Sequence, residues 1–146
     1  MKNISVLLLC MISVSFTAWQ TDFEKAKQTA KEKHQLILLN FSGSDWCGPC
    51  IRMRKDIFDD PNFSVMADKE LVMVNADFPR MKKNQLDKQL KKENEALADK
   101  YNPEGKFPFT LLLDADGRII HQWDGFPEKN VSQFANEIKL ICDAHK

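Results

Sequence analysis

Two cysteines separated by two residues, in Trp46-Cys47-Gly48-Pro49-Cys50, can close a small ring and open it again. That is redox chemistry, provided the backbone holds their Cα atoms about 4.4–6.8 Å apart. A helical turn beginning at the first cysteine supplies this spacing. The flanking segments would place such a turn: Leu36-Ile37-Leu38-Leu39-Asn40-Phe41 reads as a short strand buried on both faces, and Ile51 to Phe58 mixes charged and apolar residues as a helix does. Where a strand ends and a helix begins, unpaired N–H groups and the positive end of the helix dipole favour a thiolate on the first cysteine. Cys47 is therefore expected to be the nucleophile. Cys50, one turn further in, is expected to be the more buried, resolving thiol.

Other uses of the pair fit less well. A zinc site needs two further ligands, and the three histidines, His34, His121 and His145, are scattered. A c-type haem attachment needs histidine after the second cysteine, where Ile51 stands. No metal or other cofactor is expected beyond the redox-active cysteine pair itself. The balance of 21 basic against 21 acidic side chains carries no electrostatic footprint for nucleic acid. With 146 residues, 43% of them apolar, there is room for one core.

The N-terminus bears on where the chemistry happens. Lys2 is followed by an almost uncharged stretch, Ile4 to Phe16, and by small residues at Ser15, Thr17 and Ala18, the pattern of a secretory signal peptide over 1–18. The stretch is short of the roughly 20 apolar residues of a membrane span, and no later segment reaches that length. An integral membrane protein is not expected. Nor is lipid anchoring at Cys10: Leu7 suits such a signal, but Leu9 stands where a small residue is wanted. Residues 19–146 are then one domain with three cysteines. The third, Cys142, shares a helical stripe with Val131, Phe134, Ala135, Ile138 and Ile141, and reads as a small buried apolar residue.

The remaining elements follow from pattern and punctuation. Thr21 or Asp22 can cap a helix through about Lys33 with Phe23, Ala26 and Ala30 facing the core. Asp60-Pro61-Asn62 breaks the chain before a short helical piece through Asp68, and Leu71 to Ala76 is a second buried strand. Phe109 to Leu113 and Arg118 to Trp123 form a hairpin across Asp114-Ala115-Asp116-Gly117, and a closing helix runs from about Glu128 to Ala144. Between Phe78 and Tyr101, apolar Leu86, Leu90, Leu97 and Tyr101 recur at helical spacing. This predicts an extended helix on the sheet, about 79–100. Its lysines, among them Lys82, Lys83, Lys91 and Lys92, interleave with Asp87, Glu93, Glu95 and Asp99 as on a solvated face.

The Trp46-Cys47-Gly48-Pro49-Cys50 run together with this element order resembles the thioredoxin superfamily. Phe41-Ser42-Gly43-Ser44-Asp45 before it is closer to the secreted bacterial thioredoxin-like disulfide oxidoreductases. The resemblance implies a three-layer α/β/α sandwich with a central mixed four-stranded sheet, into which 79–100 is a helical insertion. It also implies thiol–disulfide exchange at Cys47/Cys50, supported by Trp46, Gly48 and Pro49. Pro108 falls where relatives carry a cis proline facing the cysteine pair, so Phe107 and Pro108 are the expected substrate-binding residues. The Gly48-Pro49 dipeptide is that of thioredoxin, at the reducing end of the family near −270 mV, and points to a reductant. An exported reductant implies the periplasm, protein or peptide disulfides as substrates, and a membrane reductase as electron donor. A monomer is expected. A disulfide isomerase and a non-enzymatic adaptor are the alternatives. The chain departs from thioredoxin at Asn40, near the place of a buried aspartate that helps move the resolving thiol's proton, and at Phe109, where thioredoxin has threonine. Asp45 is the nearest carboxylate in sequence and reads as facing solvent or capping the helix.

Overall fold

The computed structural model describes residues 18–145. The proposed leader, with Cys10, lies outside them apart from Ala18. In chain order the elements are α1 (Phe23–Lys33), β1 (Leu36–Ser42), α2 (Gly48–Met53), which runs on as a π-helical turn (Arg54–Phe58), and α3 (Pro61–Glu70). Then come β2 (Leu71–Asp77), α4 (Lys88–Tyr101), β3 (Phe109–Leu113), β4 (Ile119–Asp124) and α5 (Val131–Asp143).

The sheet is mixed, in the order β2-β1-β3-β4, with β1 and β2 parallel and the other pairs antiparallel. Strand alternation sorts its apolar side chains to two faces. Leu36, Leu38, Leu71, Met73 and Leu112 pack with Phe58, Phe63, Phe134 and Ile138 from the side of α2, α3 and α5. Ile37, Leu39, Phe41, Val72, Val74, Leu111 and Leu113 pack with Ala26, Ala30, Leu97 and Tyr101 from α1 and α4. Burying each large side chain completely is worth about 1.5–3 kcal/mol, so both faces contribute substantially to stability. This is the expected three-layer sandwich.

Local chemistry sets the element ends. Asp22 caps α1 by accepting from Lys25 N–H, Asp60 caps α3, and Asn130 with Gln133 forms a reciprocal capping box on α5. In the β3–β4 turn, Asp114 Oδ1 accepts from the amides of Asp116 and Arg118, and Gly117 takes a left-handed φ of +85°.

Two expectations need correction. The 51–58 stretch is not one α-helix: Asp59 N–H bonds to Arg54 O, five residues back, and the last turn widens into a π-helix. The segment 79–100, expected to be one extended helix, is α-helical only from Lys88 onward, as α4. Asp87 caps that helix through the amides of Gln89 and Leu90, while 79–87 is irregular apart from one 3₁₀ turn at Lys82–Asn84. Leu86 therefore precedes the helix it was expected to share with Leu90. Buried Asn94 takes a place on the inner face with Leu97 and Tyr101, its Nδ2 donating to Asp77 O. Lys82, Lys83, Lys91 and Lys92 are exposed. Cys142 is buried on α5 beside Phe134 and Ile138, as the stripe requires.

Candidate active site

β1 delivers the chain to the loop 43–46, and α2 begins at once. Cys47 is its N-cap, and the Cys47 Sγ accepts the Cys50 N–H at 3.3 Å. Pro49 sits in the first turn, where its missing N–H costs no helical hydrogen bond. Cys47 and Cys50 form a disulfide with Cα atoms 5.2 Å apart. Cys50 is not the more buried of the two: each residue is 5% exposed. As the N-cap, Cys47 turns its sulfur back onto the Cys50 amide. Gly48 and Pro49 are exposed.

The loop before Cys47 is held on both sides. Trp46 Nε1 donates to Phe78 O at 2.7 Å, the Arg80 guanidinium lies 3.7 Å from the indole centroid, and the Phe107 ring meets it edge-on at 5.4 Å. A Cβ on Gly43 would fall 2.3 Å from Trp46 Cε2, so only glycine lets the loop pass beneath the ring. Asp45 does not cap α2; its carboxylate lies at the surface and turns toward the segment after β2. Its carboxylate accepts from Arg80 N–H and Met81 N–H, each at 2.9 Å, and from Asn84 Nδ2. The Arg80 amide first, then the Asn84 side chain, holds this carboxyl below its ordinary pKa. Parallel pairing of β1 with β2 brings Ser42 level with Asp77, which is why the loops following the two strands meet.

Phe107-Pro108 is a cis peptide leading into β3. Phe107 packs against Trp46 and Phe78, and Pro108 is buried. Trp46, Phe78, Arg80, Leu86 and Phe107 line one groove, to which the segment after β2 contributes a wall.

On the other side of α2, the sheet face that carries Leu36, Leu38 and Met73 turns polar at its end. Asn40, Ser42, Ser44 and Asn75 line a cavity of about 250 Å³ with Cys50. Asn40, 5% exposed, accepts from Thr110 Oγ1 at 3.1 Å and donates to Asn75 Oδ1 at 3.2 Å. It thus stands behind the second cysteine without a base of its own. Asp77 accepts from Ser42 Oγ, Ser44 Oγ and Ser44 N–H. The anchoring by Asp45 and Asp77 escaped sequence reasoning, because it depends on strand register between segments over 30 residues apart. Among the described residues no group of three or more His, Cys, Asp or Glu is placed to hold a metal, and no helix is long and apolar enough to cross a membrane.

A mixed four-stranded sheet covered by helices on both faces, with a Cys-x-x-Cys disulfide opening the helix after β1 and a cis proline opening β3, defines a thioredoxin-fold dithiol–disulfide centre. The profile of the family described as Thioredoxin-like matches residues 18–115, and the chain belongs to that family. It is 30% identical over 128 residues to the disulfide bond reductase DsbH of Chlamydia pneumoniae, covering 88% of this chain and 74% of that protein. It is 26% identical to the thioredoxin-related protein DsbJ of the same organism, covering 99% of this chain but only 44% of the relative's length. The solved structure of a DsbH oxidoreductase superposes with a TM-score of 0.80 at 26% identity, covering 97% of this chain and 95% of its own. A thioredoxin from Thermus thermophilus shares the fold, with a TM-score of 0.65 at 16% identity over 88% of each chain. Fold, cysteine pair and relatives together support thiol–disulfide exchange.

Proposed function

We propose that the protein is a reductant of protein disulfides, working by dithiol–disulfide exchange outside the cytoplasm. The observation that carries the reading is the Cys47–Cys50 pair at the start of α2, with Cys47 as N-cap accepting the Cys50 amide. In the reduced protein that amide favours negative charge on Cys47. The Cys47 thiolate attacks a substrate disulfide, forming a mixed disulfide and expelling one substrate thiolate. Cys50 then gives up its proton and attacks Cys47 Sγ, the mixed bond breaks, and two electrons have passed to the substrate. Trp46, Gly48 and Pro49 shape the approach, and the Phe107-Pro108 backbone receives the extended substrate chain as an added strand.

The direction of transfer rests on the Gly48-Pro49 dipeptide and on the likeness to a disulfide bond reductase. Export rests on the signal-like pattern of 1–18, which leaves 19–146 as one working domain, a monomer in this reading. An exported reductant draws electrons from the cell interior, so its donor is a membrane reductase.

An insulin-reduction assay tests the exchange. Wild type is expected to be active, Cys47→Ser inactive, and Cys50→Ser arrested as a mixed disulfide visible by mass spectrometry. Activity retained in Cys47→Ser overturns the reading. A reduction potential for the pair above about −200 mV overturns the direction while leaving the exchange intact.

A further inference from the structure

Resolution of the mixed disulfide requires a proton to leave Cys50, and the side chains nearest that cavity's inner wall, Asn40 and Asn75, are amides that cannot accept it. The hydrogen-bond pattern leads from the cavity to a carboxylate. Ser42, 8% exposed and on the cavity wall with Cys50, places its Oγ 3.2 Å from Asp77 Oδ1 and 3.1 Å from Asn75 Oδ1. Ser44, on the same wall, bonds Asp77 Oδ2 through its hydroxyl at 2.5 Å. We infer that Asp77 is the terminal proton acceptor for Cys50, reached through Ser42 and a water in the cavity; this rests on the exchange reading above.

The balance is simple. The Cys50 thiol proton passes to the water, a water proton to Ser42 Oγ, and the Ser42 hydroxyl proton to the Asp77 carboxylate, while the Cys50 thiolate attacks Cys47 Sγ and releases the substrate thiolate. A cavity of about 250 Å³ has room for water, and Asn40, Ser42 and Ser44 offer the polar partners that such a water needs. Asp59 is the competing carboxylate on the cavity wall, but it is exposed and its Oδ1 is engaged by Arg54 Nε at 2.8 Å. Lys55 faces the same cavity from the π-turn, and Arg80 and Lys91 share the groove on the far side of Asp77. All three are cations, and none of them can accept the proton.

The test separates the two thiols in time. Reduced protein, with Cys10 and Cys142 replaced by serine, is mixed with one equivalent of 5,5′-dithiobis(2-nitrobenzoate), and thionitrobenzoate release is followed by stopped flow. Attack by Cys47 releases the first equivalent and attack by Cys50 the second. For Asp77→Asn, which keeps an acceptor oxygen for the Ser44 amide, the first phase is expected unchanged. The second should slow by about 10²-fold near pH 6, the lower end of what a general base contributes. The deficit should close as the pH passes the ordinary thiol pKa of about 8.5. Ser42→Ala is expected to behave the same way and Asp59→Asn like wild type. An unchanged second phase in Asp77→Asn overturns the relay alone. Equal slowing of both phases at every pH also overturns it, because that is what a displaced loop would do. A second phase missing from wild type removes the exchange reading, and the relay with it.

Discussion

At the residue scale the site is organised by which groups are allowed to carry charge near Cys50. Asn40 is buried, and both ends of its amide are used, by Thr110 and by Asn75. A carboxylate there would face the Asn75 carbonyl oxygen in a desolvated place, and desolvation pushes a carboxyl pKa up. An acid whose folded-state pKa is raised contributes least instability at low pH. Its cost grows as pH rises through the unfolded value of about 3.9 and is complete above the folded one. Asn40→Asp is therefore expected to lower stability by about 1–3 kcal/mol at pH 8, and by clearly less at pH 5, in urea titrations. Equal stability to wild type at both pH values would show that the pocket solvates charge freely. The neutral amide pair then keeps the sheet side of the cavity uncharged, while an acidic group sits one hydroxyl further out, at Asp77.

At the element scale the active-site loop is not free-standing; it is fastened to the segment after β2. Trp46 bonds Phe78 O, Asp77 holds Ser42 and Ser44, and Asp45 holds the amides of Arg80 and Met81. The Asp45 carboxyl is held below its ordinary pKa, with the Arg80 amide the largest cause. Its contribution to holding the loops together is thus fully present above about pH 4, the ordinary carboxylate value, and is lost as pH falls through the lowered one. Acid titration followed by NMR is expected to move the Arg80 and Met81 amide resonances together with one apparent pKa below 3.9, a transition absent from Asp45→Asn. Independent or unperturbed titration of these amides would mean that the fastening does not exist in solution. These contacts also mark where the sequence stops being readable. The cysteine motif, the hairpin at Asp114–Gly117 and the α5 stripe are local patterns, and the structure has them within a few residues. Asp45 and Asp77 act across strand register, so no spacing in the chain announces their partners. Leu86 misled for a related reason: it had the helical interval to Leu90, but the Asp87 cap sets the start of α4 after it.

At the scale of the whole molecule, the sheet separates two cores that have to unfold together. Ile37 on β1 points toward α1 and α4, and Ile138 on α5 packs on the opposite face; both are completely buried. Ile→Val at either position removes one methylene and is expected to cost about 0.5–1.5 kcal/mol. The two side chains belong to different clusters with no member in common, and changes at such sites add to within about 0.5 kcal/mol. A chain of this size with one sheet shared by both cores should still unfold in a single transition. The double variant Ile37→Val/Ile138→Val is therefore expected to lose the sum of the single losses, with an unchanged denaturant slope. A coupling energy well above 0.5 kcal/mol would mean that strain crosses the sheet, and a reduced slope or second transition that one layer melts alone. Additivity matters for the site, because α2 stands on the Ile138 side while α4 packs on the Ile37 side. The fastening of loop 43–46 to 77–84, with the Phe107 ring against Trp46, then links the redox centre to the layer of α1 and α4, and changes deep in α4 are expected to reach the cysteines through these contacts.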